Sequence, residues 1–439
     1  MERRLRREVR LDSIIMRKTS GISTILIGAA VALGVFQAGP AAEESVERVA
    51  SHAEPRSALR VFLIDGRHLQ VARQRLRAGD KHLAPALETL KRDAQRALNA
   101  APFSVVHKQA TPPSGNKHDY MSQAPYFWPN PETTNGLPYL RRDGERNPEI
   151  NKYPDHRVMD DMVAAVESLA FCYFFTGDET CAAQAAKLLR AWFRDPATRM
   201  NPHLQYAQAI PGANTGRGIG LIETRGLTRL VDAVGLLAGS KAWTDADQRD
   251  LQDWFDRFLQ WMLESEHGRD EAAAKNNHGT FYDVQVASFA LFVGKKELAK
   301  DILQTARRKR IAAQIEPDGR QPLELARTRG WSYSIGNLDG LMSLARLAEN
   351  VGVDLWNYET PDGRGIRKAL DFLTPFAAGK QKWPYQQLGG FSARALSSVL
   401  RRAALKYSDP RYRELLETMP AEEAASRSHL LRPQVREFR

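Results

Sequence analysis

The chain has 439 residues, 43% of them apolar and 26% charged, with a formal net charge of +11. That balance describes a globular protein able to bury one large core or two ordinary ones, and excludes a disordered or fibrous chain. The positive charge points to an anionic partner. No run of basic residues interleaved with aromatics marks a nucleic-acid module, so none is expected to bind.

In chain order, a leader comes first. Arg17 and Lys18 precede the apolar run "ISTILIGAAVALGVF", which leads into the small residues "AGPAA". This is the pattern of a secretory signal peptide over residues 1–42, with Met16 as an alternative start and a loose linker over 43–57. The run is short for a membrane span, so no stable membrane insertion is expected, and the mature protein is expected in the periplasm or medium. The leader carries seven basic and three acidic residues, so the mature chain keeps a charge of +7.

Residues 107–157 carry "HDYMSQAPYFWPNP" and "GLPYLRRDGERNPE" and predict a long non-helical loop. Loops of that length inside a domain are usually functional or disordered, and Tyr120, Tyr126, Phe127, Trp128 and Tyr139 argue for order. Aromatic faces suit sugar rings and Arg141 and Arg142 suit carboxylates, although each aromatic taken alone reads more readily as packing on a core.

Helical periodicity follows. "DDMVAAVESLAFCYFF" places Met162, Val163, Val166, Leu169 and Ala170 on one face. "TCAAQAAKLLRAWF" comes after the turn "TGDET", which Cys172 and Cys181 flank. Export would permit a disulfide there; two small buried thiols are the alternative. Further helices are expected over 220–239, 245–265, 279–294, 297–315, 335–352, 364–377 and 390–406. Strand alternation is scarce. A succession of antiparallel helical hairpins predicts an all-α protein, an (α/α) toroid or incomplete barrel in a single domain over 58–420, with a polar tail over 421–439.

Three polar clusters stand out. "ANTGRGIGLIETRGL" (213–227) offers Asn214, Arg217 and Arg225. Its G-x-G-x-G spacing follows no strand and is not a dinucleotide fingerprint. "KNNHGTFYDVQ" (275–285) offers Asn277 and His278 at a helix start, where Asn277 could serve as a simple N-cap. "LELARTRGWSYSIGNLDG" (323–340) gathers Arg327, Arg329 and Tyr333. No H-E-x-x-H, Cys/His zinc spacing, Walker motif or nucleophile elbow occurs, so neither a metal nor another cofactor is expected. Asn, His, Arg and Tyr suit β-elimination on a uronate. Its C5 proton is acidic only once the neighbouring carboxylate is neutralised, and a base and an acid complete the step. A catalytic Tyr would need cations such as Arg327 and Arg329 to lower its pKa.

Taken together, "HDYMSQAPYFWPNP", "GRGIGLIETRGL", "KNNHGTFYDVQVA" and "ELARTRGWSYSIGNLDGL" resemble the alginate lyase superfamily of helical-toroid polysaccharide lyases. The resemblance implies a groove for an acidic polysaccharide, alginate or a related polyuronate. It implies that Asn277 and His278 neutralise the carboxylate, with His278 also a candidate base, that Tyr333 is the catalytic tyrosine and that Arg327 assists it. Arg217, Tyr120, Tyr126, Trp128, Arg329 and Asn214 would bind substrate. Two alternatives stand beside it: a glycoside hydrolase on an (α/α) scaffold, which would need two facing carboxylates, and a non-catalytic polysaccharide-binding protein.

Overall fold

A computed structural model describes residues 59–419 and 423–432. The expected signal peptide and the linker after it lie outside the described residues. From residue 59 onward the chain forms one unit.

Two amphipathic helices open it, α1 (Gly66–Arg77) and α2 (Ala84–Leu98). Then come α3 (Asp155–Thr176), α4 (Glu179–Phe193), α5 (Leu227–Leu236), α6 (Asp245–Glu264), α7 (Glu266–Ala273), α8 (Asn277–Phe292) and α9 (Lys296–Ala306). The chain continues through α10 (Pro322–Leu325), α11 (Gly330–Glu349), α12 (Ile366–Ala377), α13 (Ser397–Lys406), α14 (Pro410–Thr418) and α15 (Ser428–Leu431). The α3–α4 hairpin shows how the sequence sets the turns. Gly177 takes φ +78 at the end of α3, and the Asp178 side chain accepts from Thr180 N to cap α4. Both cysteines beside that turn are buried free thiols.

The helices form two layers. Helices α3, α5, α8, α11 and α13 pack in succession as an inner row, and α2, α4, α6, α9 and α12 pack outside them. The all-α expectation holds, and the row is an incomplete toroid. Inner helices are wrapped on nearly every side. Along α8 all residues are buried except His278 and Phe281, which is where the helix meets the cavity.

The loop over 107–157 is ordered, as its aromatics required. It contributes β1 (Met121–Gln123), β2 (Phe127–Trp128) and β3 (Leu140–Arg141). The pair β2–β3 is antiparallel, while β1 runs parallel to β4 (Tyr206–Ala209) with Gln123 opposite Ala209. In the tail beyond 421, Leu430 is buried and Arg427 bonds Asp93 of α2 and Ser168 of α3. No described helix is long and apolar enough to cross a membrane.

Candidate active site

The N-terminal turns of α8 and α11 and the loop 121–146 line one cavity of about 1720 Å³. At the start of α8 the cap is Asn276 rather than Asn277; its side chain accepts from His278 N at 3.3 Å. That frees the Asn277 side chain. Its Nδ2 donates to Glu324 Oε2 at 2.7 Å, and its backbone N–H donates to Glu324 Oε1 at 2.6 Å. Glu324 is buried, and burial pushes its carboxyl up against the opposing pull of those bonds and of Arg327 and His278. One Nδ2 proton of Asn277 remains for a ligand.

His278 pairs its Nδ1 with Glu271 Oε1 at 2.7 Å, and Glu271 is buried at the end of α7. With the ring proton on Nδ1, Nε2 carries the lone pair that the cavity meets. The segment joining α7 to α8 is locked from below. Arg310 donates to Ala272 O at 2.9 Å, to Ala274 O at 2.6 Å and to both oxygens of Asp283 at 2.7 and 3.0 Å. Gly279 is required by this approach, since a Cβ there would lie 2.2 Å from the Arg310 guanidinium. Arg310 sits in a π-helical stretch, Arg307–Ala312.

Facing this wall, Arg327 Nη2 donates to the Tyr333 hydroxyl at 2.7 Å, and its guanidinium lies 3.8 Å from the Tyr333 ring centre. Asp143 orients Arg327 through Nε at 3.1 Å and Nη2 at 2.8 Å, and accepts from Thr328 Oγ1 at 3.1 Å. Although burial works the other way, Arg327 holds the Asp143 carboxyl well below the usual range. The Tyr126 hydroxyl lies 3.3 Å from that of Tyr333. The sequence called for cations to lower the Tyr333 pKa, and the structure corrects that expectation. Burial and the Tyr126 bond push the phenol well above its ordinary value, and Arg327 offsets this only in part. Arg329 lines the cavity but bonds Gly144 O at 3.2 Å rather than Tyr333.

The third wall is the β1–β4 pair. Arg217 donates Nη2 to Gln208 Oε1 at 2.8 Å and lies 5.0 Å from the Phe127 ring centre. Burial lowers its pKa to about 10, so it remains charged at neutral pH. The glycines around it serve close packing. A Cβ at Gly216 would lie 2.0 Å from Gln205 O, and one at Gly220 2.5 Å from the Ala207 side chain.

Asn277, His278, Arg327, Tyr333, Arg217, Tyr126 and Arg329 therefore share one cavity. Three expected substrate residues do not join them. Tyr120 is fully buried and donates to Glu223 Oε2 at 2.6 Å. Trp128 donates its indole N–H to Glu145 O at 3.0 Å beneath Arg142, away from the cavity lining. Asn214 holds a turn by accepting from Ile210 N at 3.1 Å. The sequence reading missed Glu271, Glu324, Asp143, Gln123 and Gln208. Asp143 stands beside the noted Arg141 and Arg142, and Gln123 and Glu324 lie inside segments already singled out; nothing marks Glu271 or Gln208. Among the described residues, the side chains close enough to share a cation are Cys172, Asp178 and Cys181, outside the cavity.

Residues 104–383 match the family model described as alginate lyase. Over 85% of its length the chain is similar to the crystal structure of an alginate lyase from Bacteroides ovatus, at 40% identity and a TM-score of 0.82, covering 99% of that chain. It also resembles in fold a histidine-to-alanine variant of alginate lyase A1-III complexed with tetrasaccharide, at 16% identity and a TM-score of 0.53 over 86% of this chain and 97% of that one. A tyrosine-to-phenylalanine variant of A1-III, also with tetrasaccharide, gives 17% and 0.54 over 88% and 99%. No curated protein sequence matches.

Proposed function

With the chain belonging to the alginate lyase family, and so a polysaccharide lyase, we propose that it cleaves alginate or a related polyuronate by metal-independent β-elimination, leaving 4,5-unsaturated uronate ends. The observation that carries this reading is that the Arg327–Tyr333–Tyr126 contact lines the same cavity as His278 and Asn277, which Glu271 and Glu324 hold from behind.

The chemistry follows from the protonation states. Tyr333 rests as a neutral phenol, which suits it to protonate the C4 leaving oxygen. His278, with Nδ1 held by Glu271, offers Nε2 as the base for the C5 proton. Asn277 and the cavity cations counter the charge that grows on the carboxylate as the enolate forms. When the C5 proton and leaving oxygen lie on opposite ring faces, as in a guluronate-type linkage, His278 and Tyr333 divide the work. When both lie on one face, as in a mannuronate-type linkage, Tyr333 takes the proton and returns it, and must first be ionised. The groove chemistry and the expected leader support action outside the cytoplasm.

The test is a panel of purified polyuronates, read by ultraviolet absorbance of the C4=C5 double bond. Turnover should yield that absorbance and survive exhaustive chelation. Cleavage to saturated ends, or activity lost to chelator and restored by a divalent ion, refutes the reading.

A further inference from the structure

The cysteine pair beside the α3–α4 turn takes no part in the chemistry above and lies outside the cavity. Cys172 sits one turn before the end of α3, and Cys181 lies in the first turn of α4. The turn between them is fixed on both sides. Gly177 takes the left-handed conformation that ends α3, and Asp178 caps α4, so the two helices return side by side at a set spacing. The two Sγ atoms therefore lie within 4.8 Å of each other, with a carboxylate oxygen of Asp178 in the same group.

Neither sulfur has a strong partner elsewhere. Cys172 Sγ is 3.8 Å from Thr176 Oγ1, whose proton is committed to Cys172 O at 2.6 Å, and Cys181 Sγ is 3.8 Å from Asp178 Oδ2. The thiols also bond each other. That bond lowers the pKa of Cys172 against the effect of burial, and together with burial it raises that of Cys181. A ready thiolate beside a second thiol is the arrangement that disulfide exchange needs. A metal ion is the competing use of the group, and the geometry disfavours it. Asp178 is exposed and already caps α4 through Oδ1 at 2.9 Å, and among the described residues no fourth His, Cys, Asp or Glu joins the three. A structural zinc site takes four protein ligands. The chain holds only these two cysteines, so their pairing has no competitor.

We propose that Cys172 and Cys181 join in a disulfide that clamps the α3–α4 hairpin when the chain folds in an oxidising compartment, with a protein or small-molecule disulfide as the oxidant. The Cys172 thiolate attacks the oxidant's S–S bond, which breaks to release one thiol and leaves a mixed disulfide. Cys181 then gives up its proton and attacks Cys172 Sγ, releasing the second thiol. The protein loses two electrons and two protons, and the oxidant carries both away as two thiols. The exchange takes place on the folding chain, before burial closes the pair to 5% and 1% exposure.

The experiment refolds the reduced full chain in a buffer of oxidised and reduced glutathione, then blocks remaining thiols in denaturant. Residues 158–187 form one tryptic peptide that contains both cysteines. Its mass should be two hydrogens below the reduced peptide, with no blocking group added. The oxidised protein should melt about 3 °C above the same protein kept in reductant, the gain expected from closing a loop of about ten residues in a chain of this size. That difference should vanish in Cys172→Ala and in Cys181→Ala. Should either variant fold poorly, the peptide mass of the unaltered chain decides alone. Two blocked cysteines after refolding in the glutathione buffer overturn the proposal. A bond that lowers the melting temperature overturns it too, because the folded spacing then resists the bond. Stoichiometric zinc on reduced cysteines, in protein purified without chelator, overturns it in favour of a metal site. None of these readouts uses a polysaccharide, so the lyase reading stands or falls separately.

Discussion

Asp143→Asn separates the electrostatic role of the Arg327–Tyr333 pair from its packing. The carboxylate takes two hydrogen bonds from Arg327, at 3.1 and 2.8 Å, and both side chains are mostly buried, at 20% and 15% exposure. Bonds to charged groups contribute ~1.5 kcal/mol each, and an amide oxygen keeps part of one, so the substitution should cost about 2 kcal/mol. For roughly 370 folded residues the unfolding entropy is on the order of 0.8 kcal/mol/K, which converts that loss to about 3 °C in Tm. The sign with pH is fixed by the depressed Asp143 pKa. Its stabilisation is present above the unfolded value of about 4 and fades as pH falls below it, so the Tm difference should shrink in acid. Activity should move in the other sense. Asp143 raises the Tyr333 pKa and Arg327 lowers it, so deleting the negative charge should shift the rising limb of mannuronate cleavage to lower pH by about one unit. Calorimetry and pH–rate profiles measure both. A lowered Tm with an unmoved limb would refute the electrostatic argument, and an unchanged Tm would refute the ion pair itself.

The phenol of Tyr333 rests protonated, so same-face cleavage should rise about tenfold per pH unit between 7 and 9, while opposite-face cleavage stays flat; parallel profiles on mannuronate and guluronate blocks would contradict the division. Tyr333→Phe should abolish both cleavages, whereas His278→Gln should spare the mannuronate linkage more; a folded Tyr333→Phe protein with normal turnover ends the mechanism. Apparent affinity for polyuronate should weaken as salt rises, because Arg217, Arg327 and Arg141 line the cavity; a salt-independent KM would show the charge to be incidental. Arg310→Met should lower unfolding stability by about 3–5 kcal/mol, since it strands Asp283 in the core; urea titration showing less than 1 kcal/mol would refute that estimate.

The sequence revealed what is local and periodic. Helices α3, α4, α6, α8 and α11 follow apolar spacing that could be read directly, and the polar starts of α8 and α11 stood out against it. Helices α1, α2 and α14 were passed over because charged residues crowd their narrow apolar stripes. Most partners of the site were invisible for a different reason. Glu324 meets Asn277 across 47 residues and Asp143 meets Arg327 across 184, so only the folded chain joins them. Glu271 lies seven residues before His278, but the loop between α7 and α8 breaks the helical register that would have linked them. Tyr120 misled because an aromatic beside polar residues looks the same whether its hydroxyl meets a ligand or, as here, a buried carboxylate.

The π-helical stretch after α9 has a consequence for insertions and deletions. Winding through Arg307–Ala312 at five residues per hydrogen bond lodges one more residue than an α-helix would hold. That surplus lets Leu303 and Ala306 keep their place in the core while Arg310 still points at Ala272, Ala274 and Asp283. Deleting a single surface residue here, Arg308 or Lys309, would remove the surplus and return the coil to ordinary pitch with the side chains beyond it still close to phase. Arg310 would then keep its aim at the α7–α8 joint, and the pair Asn277–His278 its floor. A one-residue deletion that would turn an ordinary helix by about 100° should therefore be tolerated at this one stretch.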